Sequence, residues 1–440
     1  MTVRRRPRLT RPLKTATITV TALAAIATAA VGCGAIPGSS GESGEPVTVM
    51  TWAPDRTEAT DMPGMPAMAR AYARWVNDHG GLNGRPLKVL TCNDHNDSVG
   101  AANCARRAVK ANVAAVVGSY SQHGQAFLSP LEAAGIPYIG GYGLTEEEFV
   151  SPTSFPVNGG VVALLAGNGR QLARDCERVS LVRPDTLAGD LLPGLLNAGL
   201  AQGHRKPATD ILAAEDSGDY SRQAEQALKA AGADPSLVST LGREGASERA
   251  REGCVTAALG DRTDGFFDSF RRAQEDHQKV RISSVLGSVD QTSVDRTGGA
   301  SGPYEGAYVT SWYPAADDAR WDPMRRVIRE EAFGDHRIDP ANAGVQTTWI
   351  AYTVFKKVVE SLGDGEVTAR TVTRALNDGV RVGTGGLTPT LSWRFEDTVA
   401  ASEFPRLVNA NVTYQVVRDG RLVAARKSAV DVSRTLEEAS

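Results

Sequence analysis

From Pro46 onward, short apolar runs alternate with longer stretches in which apolar residues recur every three or four positions. The short runs fall at 47–52, 87–92, 114–119, 137–140, 179–182, 210–213, 265–267, 282–287 and 307–312. Most are continuously apolar, as expected of strands covered on both faces of a parallel sheet. Helices are predicted between them over 66–78, 101–112, 164–175, 191–201, 221–231 and 248–259. A longer helix over 345–362 would bury Val345, Trp349, Tyr352, Phe355 and Val359 on one face. Strand and helix alternating in this way is the signature of an α/β fold. The last strands, 390–395 and 412–423, look antiparallel, and Asp419-Gly420 supplies a hairpin turn in the second.

A single sheet of so many parallel strands is improbable, so two sheets of about five strands, in two lobes with a cleft between them, fit better. Three stretches are natural crossovers: Phe155-Pro156-Val157-Asn158, Trp312-Tyr313-Pro314, and 383–389 with Gly385-Gly386. The expected order is a first lobe from 46–157 and 312–385 and a second from 158–311 and 386–426, with 427–440 as a tail. Neither lobe is contiguous in sequence.

The first 45 residues follow different rules. Residues 1–32 carry six basic side chains (Arg4, Arg5, Arg6, Arg8, Arg11, Lys14) and no acid, followed by an apolar stretch. This is the layout of a secretory signal. The apolar run 16–31 is too short and too rich in threonine to read as a bilayer span. Cys33 follows the small pair Val31-Gly32, which resembles a bacterial lipobox, with Cys33 as the lipidated first residue of the mature chain. An ordinary signal peptide cleaved nearby is the alternative. Residues 33–45 are rich in Gly, Ser and Pro and read as a flexible tether. Either way the protein is exported, and lipid would hold it to the outer face of the cytoplasmic membrane.

Charge sharpens the picture. The chain has 48 basic and 51 acidic residues; without the six basic residues of the signal the balance is 42 against 51, a net −9. A body this acidic has no footprint for nucleic acid. With 41% apolar and 22% charged residues, the composition is that of a globular chain. Four cysteines remain after Cys33: Cys92, Cys104, Cys176 and Cys254. An even number in an exported chain favours disulfides. Of three connectivities, Cys92–Cys104 with Cys176–Cys254 is preferred, because Cys92 ends a predicted strand and Cys104 lies early in the next helix. No CxxC pair and no His at ligand spacing supports a metal site, and no cofactor is expected.

The stretch from Arg74 to Asp94, RWVNDHGGLNGRPLKVLTCND, runs from a helix through a glycine pair and an Asn-Gly turn into a strand. It resembles the type I periplasmic solute-binding proteins, most of all the leucine/isoleucine/valine-binding branch. Val116-Val117-Gly118-Ser119-Tyr120-Ser121, the run from Leu131 to Ile139 with its Gly135-Ile136-Pro137, and Tyr304-Glu305-Gly306-Ala307 continue the resemblance. It spans about 46–425 and is most specific in the first third. It implies a two-lobed α/β fold, each lobe a mostly parallel sheet flanked by helices, joined by three hinge segments. It also implies a receptor that closes on a small polar metabolite, usually an amino acid or amide-like compound. Such a monomeric receptor would deliver its ligand to the membrane permease and ATPase of an ABC importer.

Candidate ligand contacts follow from strand ends. Ser119, Tyr120, Ser121 and Gln122 enter a helix whose amides and hydroxyls can hold a carboxylate. Gly141 and Gly143 permit close approach of a ligand to backbone, with Tyr142 as a wall. Both loops match the family's sites for an α-carboxylate. Trp52 would cover an apolar part of the ligand. From the second lobe, Phe267 and Asp268 end a predicted strand. Asp290 stands near where the family pairs the ligand's amine, although an N-cap role competes. The family's second-lobe tyrosine is replaced by Asp185-Thr186-Leu187-Ala188-Gly189. A ligand sensor reporting to a signalling partner uses the same fold and is the alternative function. An exported enzyme is the third reading, but no GxSxG, HExxH or P-loop is present, and Glu146-Glu147-Glu148 are expected to be solvated.

Overall fold

The computed structural model describes residues 44–438 apart from 58–59, 187, 215–216, 235 and 275–278. The signal, Cys33 and nearly all of the tether lie outside the described residues. Among the described residues no helix is long and apolar enough to cross a membrane.

The first sheet contains five parallel strands: β1 (Val47–Trp52), β2 (Leu87–Cys92), β3 (Ala115–Val117), β4 (Tyr138–Ile139) and β5 (Ser154–Phe155), in the order β2-β1-β3-β4-β5. The second is built on β6 (Arg178–Pro184), β7 (Thr209–Ala213), β8 (Gly253–Ala257), β9 (Arg281–Val285) and β10 (Tyr308–Ser311), all parallel. To these are added β11 (Asn411–Arg418), β12 (Arg421–Ala424) and β13 (Val430–Asp431), all antiparallel additions. The order β12-β11-β10-β9-β8-β6-β7, with β13 on β11, makes this an eight-stranded sheet, larger than the five strands expected.

Local sequence explains the elements. Helix Gly64–Asp78 buries Met65, Met68, Tyr72 and Val76 at helical spacing. Burying each large apolar side chain contributes roughly 1.5–3 kcal/mol. The helix stops at Gly80 and Gly81, both left-handed, and the next turn places Asn83 and Gly84 at positive φ before β2 begins. Helix Ala343–Ser361 packs on it, with the Tyr72 and Trp349 rings 5.2 Å apart. The hairpin between β11 and β12 turns through Asp419 and Gly420, both at positive φ, as a two-residue type I′ turn requires. Both expected disulfides form: Cys92–Cys104 and Cys176–Cys254, with Cα separations of 5.7 and 5.8 Å.

Several expectations are corrected. Residues 265–267 are not a strand but lie in helix Thr263–Ala273, which buries Phe266, Phe267 and Phe270 on one face. The helix expected over 248–259 ends at Arg251, and β8 follows; its Cys254 to Ala257 are fully buried at the centre of the second sheet. No strand forms at 390–395; only the isolated pair Val382 and Leu391 bridges there. The third crossing also falls later than 383–389. Trp393 donates to the Pro156 carbonyl, Arg406 donates to the Ser154 and Phe149 carbonyls, and Phe404 packs on Phe149, so 390–408 still rides on the edge of the first sheet. The residues expected as a tail form β13 and helix Ser433–Glu437, which packs on helices Gly160–Asp175 and Leu192–Ala201.

Candidate functional site

Three segments pass between the sheets and are tied to one another by buried side chains. Asn409 donates its amide to the Val157 carbonyl at 3.1 Å, and Asn158 donates to the Tyr313 hydroxyl at 3.1 Å. Gln415 and Thr413 both donate to the Tyr313 carbonyl, at 3.0 and 2.6 Å. Trp312 donates from its indole to the Gly160 carbonyl at 2.8 Å. The chain crossings thus share one hydrogen-bonded hinge.

Beyond the carboxyl ends of the strands, between the sheets, lies a cavity of about 840 Å³, counting the part open to solvent. The first sheet's side contributes Thr60, Met62, Tyr120, Gln122, Tyr142 and Leu144. The other side contributes Val161, Leu164, Leu165, Leu192, Leu259, Val285, Leu286, Gly287 and Ser288, with Pro184, Thr186, Ala188 and Asp261 at the margins and Trp312 beside the hinge. Most of this surface is apolar. Tyr142 stands between Tyr120 and Trp312, edge to face with each, at centroid distances of 5.0 and 5.1 Å. Its hydroxyl reaches across to the second sheet, where any side chain at Gly287 would collide with it. That hydroxyl is buried and has no hydrogen-bond partner among the described residues. Burial holds its pKa well above the ordinary tyrosine value, so it is a neutral donor and acceptor.

Of the residues expected at the site, Tyr120, Gln122 and Tyr142 line this cavity. The others do not. Trp52 is fully buried on the far face of the first sheet, against Phe127 and Tyr138. The Ser119 hydroxyl accepts from the Trp52 amide at 3.1 Å, and the Ser121 hydroxyl from the His123 amide at 3.2 Å. Gly141 and Gly143 belong to a loop closed from within. Glu148 turns its carboxylate into that loop and accepts from the amides of Gly143, Leu144 and Thr145 at 3.0, 2.9 and 3.2 Å. Gly141 is glycine because a Cβ there would strike the Glu148 carboxylate and the Tyr138 ring. The expectation that Glu148 is solvated is therefore wrong: it is 2% exposed. Burial pushes its carboxyl up to about 7, with the three amides pulling the other way.

In the second lobe, Phe267 packs in the core against Phe266, Phe270 and Tyr304, and Asp268 pairs with Arg271 and Arg272 at the surface. Both lie away from the cavity because their segment is helical. Asp290 N-caps helix Gln291–Arg296 by accepting from the Ser293 amide at 2.8 Å. It faces a separate, smaller recess with Gln346, Gln415 and Arg421, and burial raises its pKa.

Sequence reasoning missed Asp261, Trp312 and the apolar start of helix Gly160–Asp175. Asp261 follows β8, whose residues the sequence pattern assigns to a helix, so no strand end is apparent there. Asp261 keeps solvent on one side but is crowded on the others, and this desolvation raises its carboxyl pKa. Among the described residues, no group of three or more His, Cys, Asp or Glu is placed to hold a metal ion.

A family model described as periplasmic binding protein matches residues 57–400. The chain belongs to the periplasmic binding protein family. Solved structures agree in fold. A possible leucine/isoleucine/valine-binding protein from Rhodopirellula baltica aligns with a TM-score of 0.69 and 12% identity, covering 87% of this chain and 97% of its own. A substrate-binding periplasmic protein from Ralstonia solanacearum gives 0.68 and 15%, over 86% and 99%. A solute-binding protein of an ABC transporter from Rhodopseudomonas palustris, in complex with 3,4-dihydroxybenzoic acid, gives 0.66 and 14%, over 88% and 97%. No curated protein matches the chain. The α/β architecture of two sheets flanked by helices is that of the type I members of this family.

Proposed function

We propose that this type I periplasmic binding protein is the exported solute receptor of an ABC importer. It captures a small molecule in the cavity between its sheets and hands it to a membrane permease driven by an ATPase. The carrying observation is the cavity itself, at the strand ends, bounded by both sheets and bridged by Tyr142 reaching Gly287. The role is binding, not catalysis; family membership and the solute-binding neighbours support it. The lining favours a ligand with a largely apolar body over the small polar metabolite first expected, because burial of apolar surface is the main gain available to it. The receptor acts as a monomer, held outside the cytosol by lipid on Cys33.

Ligand capture is tested by tryptophan fluorescence, since Trp312 lines the cavity. A metabolite library screened against the mature chain should contain compounds that change its emission saturably, and Tyr142→Ala should abolish the response. Saturable binding indifferent to Tyr142 would place the ligand elsewhere. Anchoring is tested by palmitate labelling in cells: label should be incorporated and should vanish in Cys33→Ser.

A further inference from the structure

Resting on the solute-receptor reading, we propose that the cavity selects an apolar amine and rejects carboxylates, because the anion-binding nest behind its wall is occupied by the protein's own Glu148. The loop from Gly141 to Thr145 forms that wall. Successive backbone amides in such a loop make a seat for an anion. Here the three inward amides, of Gly143, Leu144 and Thr145, are all spent on Glu148. The seat is built for this occupant, since Gly141 must lack a side chain for the Glu148 carboxylate to fit.

Other anion donors nearby are also closed. The Ser121 hydroxyl is hydrogen-bonded to Asp94, and neither Ser119 nor Ser121 reaches the cavity lining. At the start of helix Gly160–Asp175, the Gly160 amide donates to Asn158 and the Val161 amide to the Gly143 carbonyl. Among the described residues no lysine, arginine or histidine lines the cavity. A carboxylate brought into it would lose water and meet no cation and no free amide of that nest, which is strongly unfavourable.

Charge in the cavity has the opposite sign. Among the described residues Asp261 is the one acid of the lining, and it sits where helix Thr263–Ala273 is approached from β8. Its position is fixed by the Gly260 amide donating to the Ser288 hydroxyl at 3.1 Å. The Asp61 amide donates to the Asp261 carboxylate, which leaves further lone pairs for a ligand ammonium. The neighbouring Arg296 is engaged by Asp264 and is no lining residue. Opposite stand three aromatic rings, Tyr120, Tyr142 and Trp312, which suit an apolar body and whose faces attract a cation. The buried Tyr142 hydroxyl, without a hydrogen-bond partner among the described residues, supplies one more polar contact inside.

The experiment is a calorimetric titration of the mature chain at pH 7 with a near-isosteric set: 2-phenylethylamine, 2-phenylethanol and phenylacetate. It is preceded by a thermal-shift screen of a metabolite library sorted by charge. Amines should dominate the stabilising hits, and 2-phenylethylamine should bind at least about tenfold more tightly than phenylacetate. Asp261→Asn, a change at a partly exposed rim position, should weaken the amine about fivefold and leave the alcohol unchanged. Hits dominated by carboxylates, or an amine affinity indifferent to Asp261, would overturn the inference and leave the receptor reading intact. A library in which no class stabilises the protein would sink both.

Discussion

Glu148 offers a sharp test of how burial and backbone amides compete at one carboxylate. Three amides favour its ionised form, yet removal from water costs more, and the net result is a carboxyl pushed up from 4.5 to about 7. The folded state therefore holds this proton more tightly than the unfolded chain does. Its contribution to stability is greatest below about pH 4.5 and is lost as the pH climbs through 7. At about 1.4 kcal/mol per pH unit, the difference amounts to roughly 3 kcal/mol. Glu148→Gln cannot titrate, so comparison with wild type isolates this group. Urea unfolding of both proteins should be followed by tryptophan fluorescence from pH 4.5 to 8. Wild type should lose roughly 3 kcal/mol relative to the variant across that range. A difference that stays flat would mean the amides fully offset burial, and one that moves in wild type's favour as pH rises would mean they outweigh it; either result refutes the reasoning.

Other outcomes follow from the same structure. Loop-closure entropy makes Cys176–Cys254, which spans 78 residues, worth about 4–5 kcal/mol and Cys92–Cys104, which spans 12, about 3; paired Cys→Ser variants should show that order in chemical unfolding. Tyr142→Phe removes a buried hydroxyl that has no partner, so the ligand-free protein should gain about 1 kcal/mol in unfolding free energy while ligand affinity falls. Gly140→Ala should cost more than about 2 kcal/mol in thermal unfolding, because its φ is +63° and a Cβ would collide with Ala351 of the helix packed beneath.

Much of the fold was legible because parallel strands and their helices announce themselves by different apolar periods. β1, β2 and the Asp419-Gly420 hairpin came out at their observed places for that reason. Where period fails, so did the reading. Cys254-Val255-Thr256-Ala257 is a short apolar run following helix-forming residues, and nothing local separates a buried strand from a helix end. Phe266, Phe267 and Phe270 look like a strand until their exposed neighbours Asp268, Arg271 and Arg272 show a single buried helical face. The site was less legible than the fold. Strand ends could be found, but which face Trp52 takes depends on sheet register. Whether the hydroxyls of Ser119 and Ser121 are free depends on amides brought to them by folding. Glu148 was hidden among adjacent acids, and only the closed loop distinguishes it from them.

The central claim is that the two sheets close over a solute. Small-angle scattering on wild type and on Gly287→Trp tests it most directly, because a tryptophan at that position would wedge against Tyr142 and hold the cleft apart. Wild type should contract when saturated with a compound found in the screen, and the wedged variant should stay expanded and bind it poorly. Tight binding by both proteins, with identical radii of gyration, would contradict the account.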